Sequence, residues 1–354
     1  MGDDVTEPRH QADSASEAPL TSGAGGDGRG RLAPEPPLPT LPARPDAGHK
    51  GTFGTVCVVG GQSAPPQVML GGPAFSALAA LRCGAGLAIL ALPAPILVAG
   101  LGIAPSATGL ALPVDQSGAL HPSSVAEALD EVLGRVHCLA IGPGLGSGEP
   151  QRQVVARLLS LDGVPMVVDA DALNCLAAID EVQRDLRAQV VLTPHPGEFR
   201  RLAESLRMSA DLESATGRSA AALDLSRRLG CITVLKGHRT VVSDGLNTWT
   251  CSAGGPCLAT AGSGDVLTGV IASLVGQFHR PSPPAALHRV VAGTPDRLSL
   301  FDCARLGVEI HARAGDLWAA RHGSAGMLAG DLIEGLPEAV RALRSGGRGP
   351  SVEG

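Results

Sequence analysis

Six short apolar runs recur along the chain: TVCVV (55–59), GLAIL (86–90), VHCLAI (136–141), PMVVDA (165–170), QVVLT (189–193) and CITVL (231–235). They are rich in β-branched residues and apolar throughout rather than alternating, so both faces of each strand must be covered. Stretches with helical spacing separate them, among them 74–81, 154–159 and 219–229. Strands alternating with helices predict a mostly parallel α/β sheet flanked by helices on both faces. TVVSD and NTWTCS predict a local pair of strands, and helices over 265–277 and 306–321 close the core. In the first helix Val266, Leu267, Val270, Ile271 and Leu274 share a face, and in the second Leu306, Ile310, Ala314 and Leu317 do. No repeat of 20–50 residues is present, and residues 49 to about 343 read as one domain.

The flanks differ. Residues 1–48 carry GAGGDGRGR and APEPPLPTLPARPD with almost no apolar period. A mostly disordered tail is expected there, with an arm docked on a neighbouring subunit as the alternative. Residues 344–354 read as a second tail, and 279–298, with four prolines and three arginines, as a surface insertion. The balance of 28 basic against 34 acidic residues argues against a nucleic-acid binder, which carries a basic stripe. No apolar run reaches the length of a membrane span, and the N-terminus lacks the basic-then-apolar order of a secretory signal. Eight scattered cysteines without a CxxC pair read as reduced core residues of a cytoplasmic protein. Aromatics are only 2% of the chain and tyrosine is absent, so Ala, Val, Leu and Ile must build the core.

The sharpest chemical signal is Thr260-Ala261-Gly262-Ser263-Gly264-Asp265 immediately before a helix. Small residues let a ligand approach the backbone, and the helix start offers free N–H groups and a positive dipole end suited to a phosphate. Asp265 also suits the helix start as a cap, but a cap alone does not call for the small residues before it. A carboxylate beside an anion site can deprotonate a hydroxyl that attacks a terminal phosphate. Ile141-Gly142-Pro143-Gly144-Leu145-Gly146 follows a strand and reads equally as a tight turn or a ligand contact. Thr193-Pro194-His195-Pro196-Gly197-Glu198 presents a histidine donor and a carboxylate able to organise hydrated magnesium; the plainer reading is a rigid loop. Leu235-Lys236-Gly237-His238-Arg239-Thr240 joins two strands and is either an anion contact or a hairpin with a solvated lysine. In Val168-Asp169-Ala170-Asp171, Asp169 is the better site candidate and Asp171 a residue of the helix start.

Together these motifs resemble the ADP/ATP-dependent NAD(P)H-hydrate dehydratases, a family of ribokinase-like fold. The resemblance is carried by HKGTFG (49–54), GGPAFSALAALRCGAGL (71–87), AIGPGLG (140–146), VVDADALN (167–174), LTPHPGE (192–198), LKGHRTVV (235–242), ATAGSGDVLTGVIASL (259–274) and AGMLAGDLIEGLP (325–337). It implies a metabolite-repair lyase that spends ADP or ATP to dehydrate the S-epimer of hydrated NADH or NADPH. Phosphate and AMP or ADP would be released. It further implies Asp265 as the base, with Gly72, Gly144, Gly146, His195 and Asp265 contacting the hydrated cofactor. Lys236, Gly237, His238, Arg239, Thr240, Gly262, Ser263 and Gly264 would hold the nucleotide, and Glu198 a magnesium ion through water. A homotetramer and a separate upstream epimerase are the expected partners. The rival readings are a small-molecule alcohol kinase of the same superfamily, of thiazole or pyridoxine type, and a catalytically dead nucleotide-binding subunit. TPHPGE and HKGTFG favour the dehydratase over the kinase, and the retained Asp265, Lys236 and Glu198 count against a dead subunit.

Overall fold

A computed structural model describes residues 35–179, 186, 189–279 and 297–345. Nine strands are present among them: β1 Thr55–Val59, β2 Leu87–Pro93, β3 Thr108–Leu112, β4 Cys138–Ile141, β5 Met166–Val168, β6 Val190–Leu192, β7 Ile232–Leu235, β8 Val241–Ser243 and β9 Thr248–Thr250. They form one sheet in the order β3-β2-β1-β4-β5-β6-β7-β8-β9. β1 to β7 run parallel, and β8 and β9 close one edge as an antiparallel pair. The six apolar runs become β1, β2, β4, β5, β6 and β7. β3 is the strand that their pattern does not announce. TGLAL lies on the open edge and is largely exposed, so nothing requires it to be continuously apolar.

The helices are α1 Gly71–Arg82, α2 Ala94–Ile103, α3 Pro122–Leu133, α4 Glu149–Leu159, α5 Asp171–Ala177, α6 Pro196–Ser205, α7 Ala215–Leu229, α8 Ser263–Phe278, α9 Leu300–His322 and α10 Ala329–Arg344. Side chains alternate across a strand, so each central strand serves two cores. Val56, Val58, Cys138 and Ala140 face a core shared with α1, α8, α9 and α10. Cys57, Val59, Leu139 and Ile141 face a second core formed with α3, α4, α5, α6 and α7. The result is three layers, as the parallel sheet demands. α1 and α8 pack closely because Gly269 has no side chain: a Cβ there would run into the backbone carbonyl of Ser76. All eight cysteines are buried and unpaired in disulfides.

The expected N-terminal tail is corrected in its last part. Leu41 is only 3% exposed and joins the α1 side of the core. The Arg305 guanidinium donates to the carbonyls of Pro36 (3.0 Å) and Pro37 (2.8 Å). Arg44 lies 3.4 Å over the Phe53 ring and donates to the Gly84 carbonyl at 2.7 Å. A segment held by single anchors shows no hydrophobic period, and its prolines reduce the freedom lost on ordering. Residues 1–34, nearly all of the insertion at 279–298 and the tail beyond 345 lie outside the described residues.

Candidate active site

The chain runs outward from β1 to β2 and β3, then returns to place β4 on the other side of β1. In an open α/β sheet, ligands bind outside the carboxyl ends of the strands at such a switch point. The glycine turn after β4 sits there. Gly142 has φ +122, and a Cβ on it would strike the carbonyl oxygen of Asp169. Gly144 and Gly146 also have positive φ, and the Gly146 N–H donates to Asp171 Oδ2 at 2.9 Å. Asp171 therefore secures the turn. Gly144 lies beneath Met69 and Gly146 beneath Gln62, two residues joined to each other by paired backbone hydrogen bonds of 2.9 Å. Between the two aspartates, Ala170 takes φ +51, a backbone strain of the kind that gathers at functional sites.

At the next three strand ends the charged side chains converge. Asp169, after β5, is buried. Its Oδ1 accepts from Lys236 Nζ at 2.6 Å, and its Oδ2 accepts from Thr268 Oγ1 at 2.7 Å. Lys236, after β7, also lies 3.8 Å from Glu198 Oε2. Burial alone would lower the Lys236 pKa, but the carboxylates of Asp169, Glu198 and Asp265 raise it above its ordinary value. Glu198 belongs to the cap of α6. Its Oε2 accepts the His195 N–H at 2.8 Å, while His195 Nδ1 accepts the N–H groups of Gly197 (2.9 Å) and Glu198 (3.3 Å). Burial pushes Glu198 up to about 7, against the pull of Lys236. Burial and the charge of Lys236 lower the His195 pKa. With Nδ1 accepting, Nε2 of this half-exposed ring carries the proton, and it lies 3.4 Å from Glu198 Oε1.

The small-residue turn enters α8 through Gly262 in the left-handed region at φ +84. The Ser263 N–H closes the turn on the Thr260 carbonyl at 3.3 Å, and the first amides of a helix have no partner within it. His311, buried in α9, fixes the turn from behind: its Nε2 lies 2.9 Å from the Ser263 carbonyl. Burial lowers its pKa to about 4, so it remains a neutral donor to that carbonyl. A Cβ at Gly264 would lie 3.5 Å from Lys236 Nζ, and one at Gly72 would lie 3.0 Å from Asp265 Oδ2. Ser76 Oγ donates to the Asp265 carbonyl at 2.7 Å. Burial and the nearby Asp169 charge push Asp265 up to about 7, opposed by Lys236.

The structure thus gathers Gly72, His195, Glu198, Lys236, Gly262, Ser263, Gly264 and Asp265 around one cluster, with Gly144 and Gly146 at the adjoining switch point. It separates Lys236 from its loop neighbours. Gly237, His238 and Arg239 are exposed, and Thr240 Oγ1 donates to the Gly237 carbonyl at 3.1 Å. Arg218 braces that turn by donating to the carbonyls of Leu235 (3.1 Å) and Lys236 (3.2 Å). Thr268, His311, Ser76 and Arg218 carried no mark in the sequence. Only the spacing of Thr268, three residues after Asp265 and so on the same side of a helix, could have pointed to it. No group of three or more His, Cys, Asp and Glu among the described residues is placed to hold a metal ion.

Residues 56–338 match the protein-family model for NAD(P)H-hydrate dehydratase. The chain belongs to that family. It is 38% identical over 309 residues to the bifunctional NAD(P)H-hydrate repair enzyme Nnr of Moorella thermoacetica, covering 86% of this chain and 52% of that protein. It is 35% identical over 302 residues to the enzyme of the same name from Escherichia coli, covering 84% and 50%. This dehydratase-family chain therefore spans about half the length of the curated relatives it matches. Among solved structures, the ADP/ATP-dependent NAD(P)H-hydrate dehydratase of Bacillus subtilis, co-crystallised with ATP/Mg2+, superposes with a TM-score of 0.65 at 26% identity, covering 86% of this chain and 95% of that one. A ribokinase-like superfamily protein of Enterococcus faecalis matches with TM-score 0.65 at 22% identity, covering 86% and 92%, which supports the fold. The family dehydratases are lyases, and the ribokinase-like architecture expected from the motifs is the one observed.

Proposed function

We propose that this chain dehydrates the S-epimer of hydrated NADH or NADPH at the expense of ADP or ATP, restoring the reduced cofactor. The observation that carries the reading is Asp265 itself. It is a carboxyl pushed up to about 7, at the start of a helix, beside Lys236 and seated against the bare backbone of Gly72. A base is most effective when its pKa lies near the working pH. Asp265 takes the proton of the ring hydroxyl as the hydroxyl oxygen bonds to the terminal phosphorus of the nucleotide. The bond from that phosphorus to the bridging oxygen breaks, and AMP or ADP leaves. The phosphorylated carbon then loses phosphate as the ring gives up the neighbouring proton to water, which re-forms the carbon–carbon double bond of the dihydronicotinamide. Phosphate is a far better leaving group than hydroxide, and that difference is what the nucleotide supplies.

In this reading Lys236 and the amides at the start of α8 neutralise the charge that develops on the transferring phosphoryl group. His195 offers Nε2–H to the hydrated cofactor. Magnesium would travel mainly on the nucleotide phosphates and water, with Glu198 the nearest candidate to order its hydration shell. One or two carboxylates suffice for such an ion. There it would offset phosphate charge. The direct test is to incubate hydrated NADH with ADP and, separately, with ATP, and to follow the absorbance of restored dihydronicotinamide. Recovery with either supports the reading and names the donor. No recovery, with phosphorylation of a thiazole or pyridoxine-type alcohol instead, would replace it by the kinase reading.

A further inference from the structure

α8 carries two side chains that meet the charged cluster from the same side. Asp265 opens the helix, and Thr268 stands three residues later, fully buried. A threonine inside a helix ordinarily turns its hydroxyl back to a carbonyl of the preceding turn or out to solvent. Here the hydroxyl donates to Asp169 Oδ2, while Lys236 Nζ holds Asp169 Oδ1. Asp169 is thereby fixed at both oxygens, one by the helix of the base and one by the ammonium group. Lys236 is a long side chain with about 2 kcal/mol of rotamer freedom, so a cation of this kind needs an anchor to stand in one place. Lys236 Nζ is also the atom nearest a Cβ built on Gly264, at 3.5 Å, in the first turn of α8.

Resting on the dehydratase reading, we propose that Thr268 is a positioning residue: through Asp169 it sets where the Lys236 ammonium stands relative to Asp265 and the amides of α8, and so tunes the grip on the nucleotide phosphates. One rigid helix then fixes both the base and the cation that faces it. Asp169 acts on the nucleotide only through Lys236, and Thr268 only through Asp169. The chemistry addressed is the phosphate of a nucleoside diphosphate or triphosphate, and the hydrated nicotinamide ring is left unaffected.

The test measures nucleotide affinity without turnover. ADP and ATP are titrated calorimetrically into the whole chain carrying Thr268→Val, Thr268→Ser or Asp169→Asn, alongside steady-state kinetics. Loss of the hydroxyl should weaken nucleotide binding about three- to tenfold, the span of one hydrogen bond. The KM for hydrated NADH should stay at the wild-type value, and Thr268→Ser should restore nucleotide affinity. A folded Thr268→Val with wild-type nucleotide affinity overturns the proposal, even if its melting temperature falls, because the hydroxyl would then serve stability alone. If the valine variant does not fold, Asp169→Asn decides. Weaker nucleotide binding supports a positioning role, whereas equal or tighter binding shows that Asp169 merely competes with phosphate for Lys236. A wild-type chain that binds nucleotide but restores no NADH would sink the dehydratase reading and leave this inference standing. One that binds neither nucleotide overturns both.

Discussion

The Asp265 carboxylate rests against the bare Cα of Gly72, so close that a Cβ there would come 3.0 Å from Oδ2 and 3.1 Å from Cγ. Gly72 lies in the first turn of α1. Its backbone is acceptable to alanine, so the conflict falls on the carboxylate. Gly72→Ala should lower kcat about tenfold or more by displacing the base, since small misplacements of a catalytic group are costly. The melting temperature should hold or rise slightly, because alanine suits a helix better. Unchanged turnover in a folded variant would show that the carboxylate has slack.

Asp265→Asn should reduce turnover about 10²–10⁴-fold while nucleotide still binds. The same group predicts a pH effect on stability. Its folded pKa of about 7 lies above the ordinary carboxylate value. Its contribution is therefore full at acid pH below the unfolded pKa and is lost as pH rises through about 7. Asparagine loses nothing over that range. The melting-temperature advantage of Asp265→Asn over wild type should grow from pH 5 to pH 8, while wild-type turnover climbs through pH 7 as the base ionises. An advantage independent of pH would mean that the carboxyl is ionised throughout.

Lys236→Ala should raise the nucleotide KM far more than the KM for hydrated cofactor, since loss of uniform binding appears in KM. It also strands Asp169, which is 2% exposed. Breaking a buried pair by removing one partner costs about 3–5 kcal/mol. Denaturant melts of Lys236→Ala, Asp169→Asn and the double variant check this, and the double should cost less than the two singles added together.

His195 has two duties that substitution can separate. His195→Ala removes the cap of α6, worth about 1 kcal/mol, together with the Nε2 donor. His195→Asn restores a capping oxygen but not the donor at the ring's reach. Both should raise the KM for hydrated cofactor with little change for nucleotide, and only the alanine should lower the melting temperature. Nucleotide KM moving in place of the cofactor KM would reverse the assignment of the two halves of the site.

Leu41→Ala should destabilise the domain by about 2 kcal/mol, the low end for a buried leucine. Thermal melts of the full chain test this. No change would return residues 35–48 to the loosely attached tail that their composition suggests.

How much of this could be read from residues alone follows from what each element must do. β1, β4, β5 and β6 are covered on both faces and so are written as unbroken apolar runs. β3 sits on the open edge, where Thr108, Gly109 and Ala111 are exposed, and it leaves no such mark. Asp265, Glu198 and Lys236 stood out because they follow strand ends or small-residue turns. Thr268 and His311 did not, because each lies inside a helix whose period explains it as core. Their roles arise from partners 99 and 48 residues away, a distance that local pattern does not reach.

The buried thiols give this molecule an internal clock. Alkylation requires the thiolate, and burial pushes Cys57 and Cys231 up to about 12 and raises Cys138 and Cys303 further. Reagent can therefore reach them only when the structure opens. Cys57 and Cys231 belong to the layer of α3 to α7, whereas Cys138 and Cys303 belong to the layer of α1, α8, α9 and α10. Timed labelling followed by peptide mass analysis thus reads the two sides of the sheet separately. It shows whether they part from the sheet in one event or in succession.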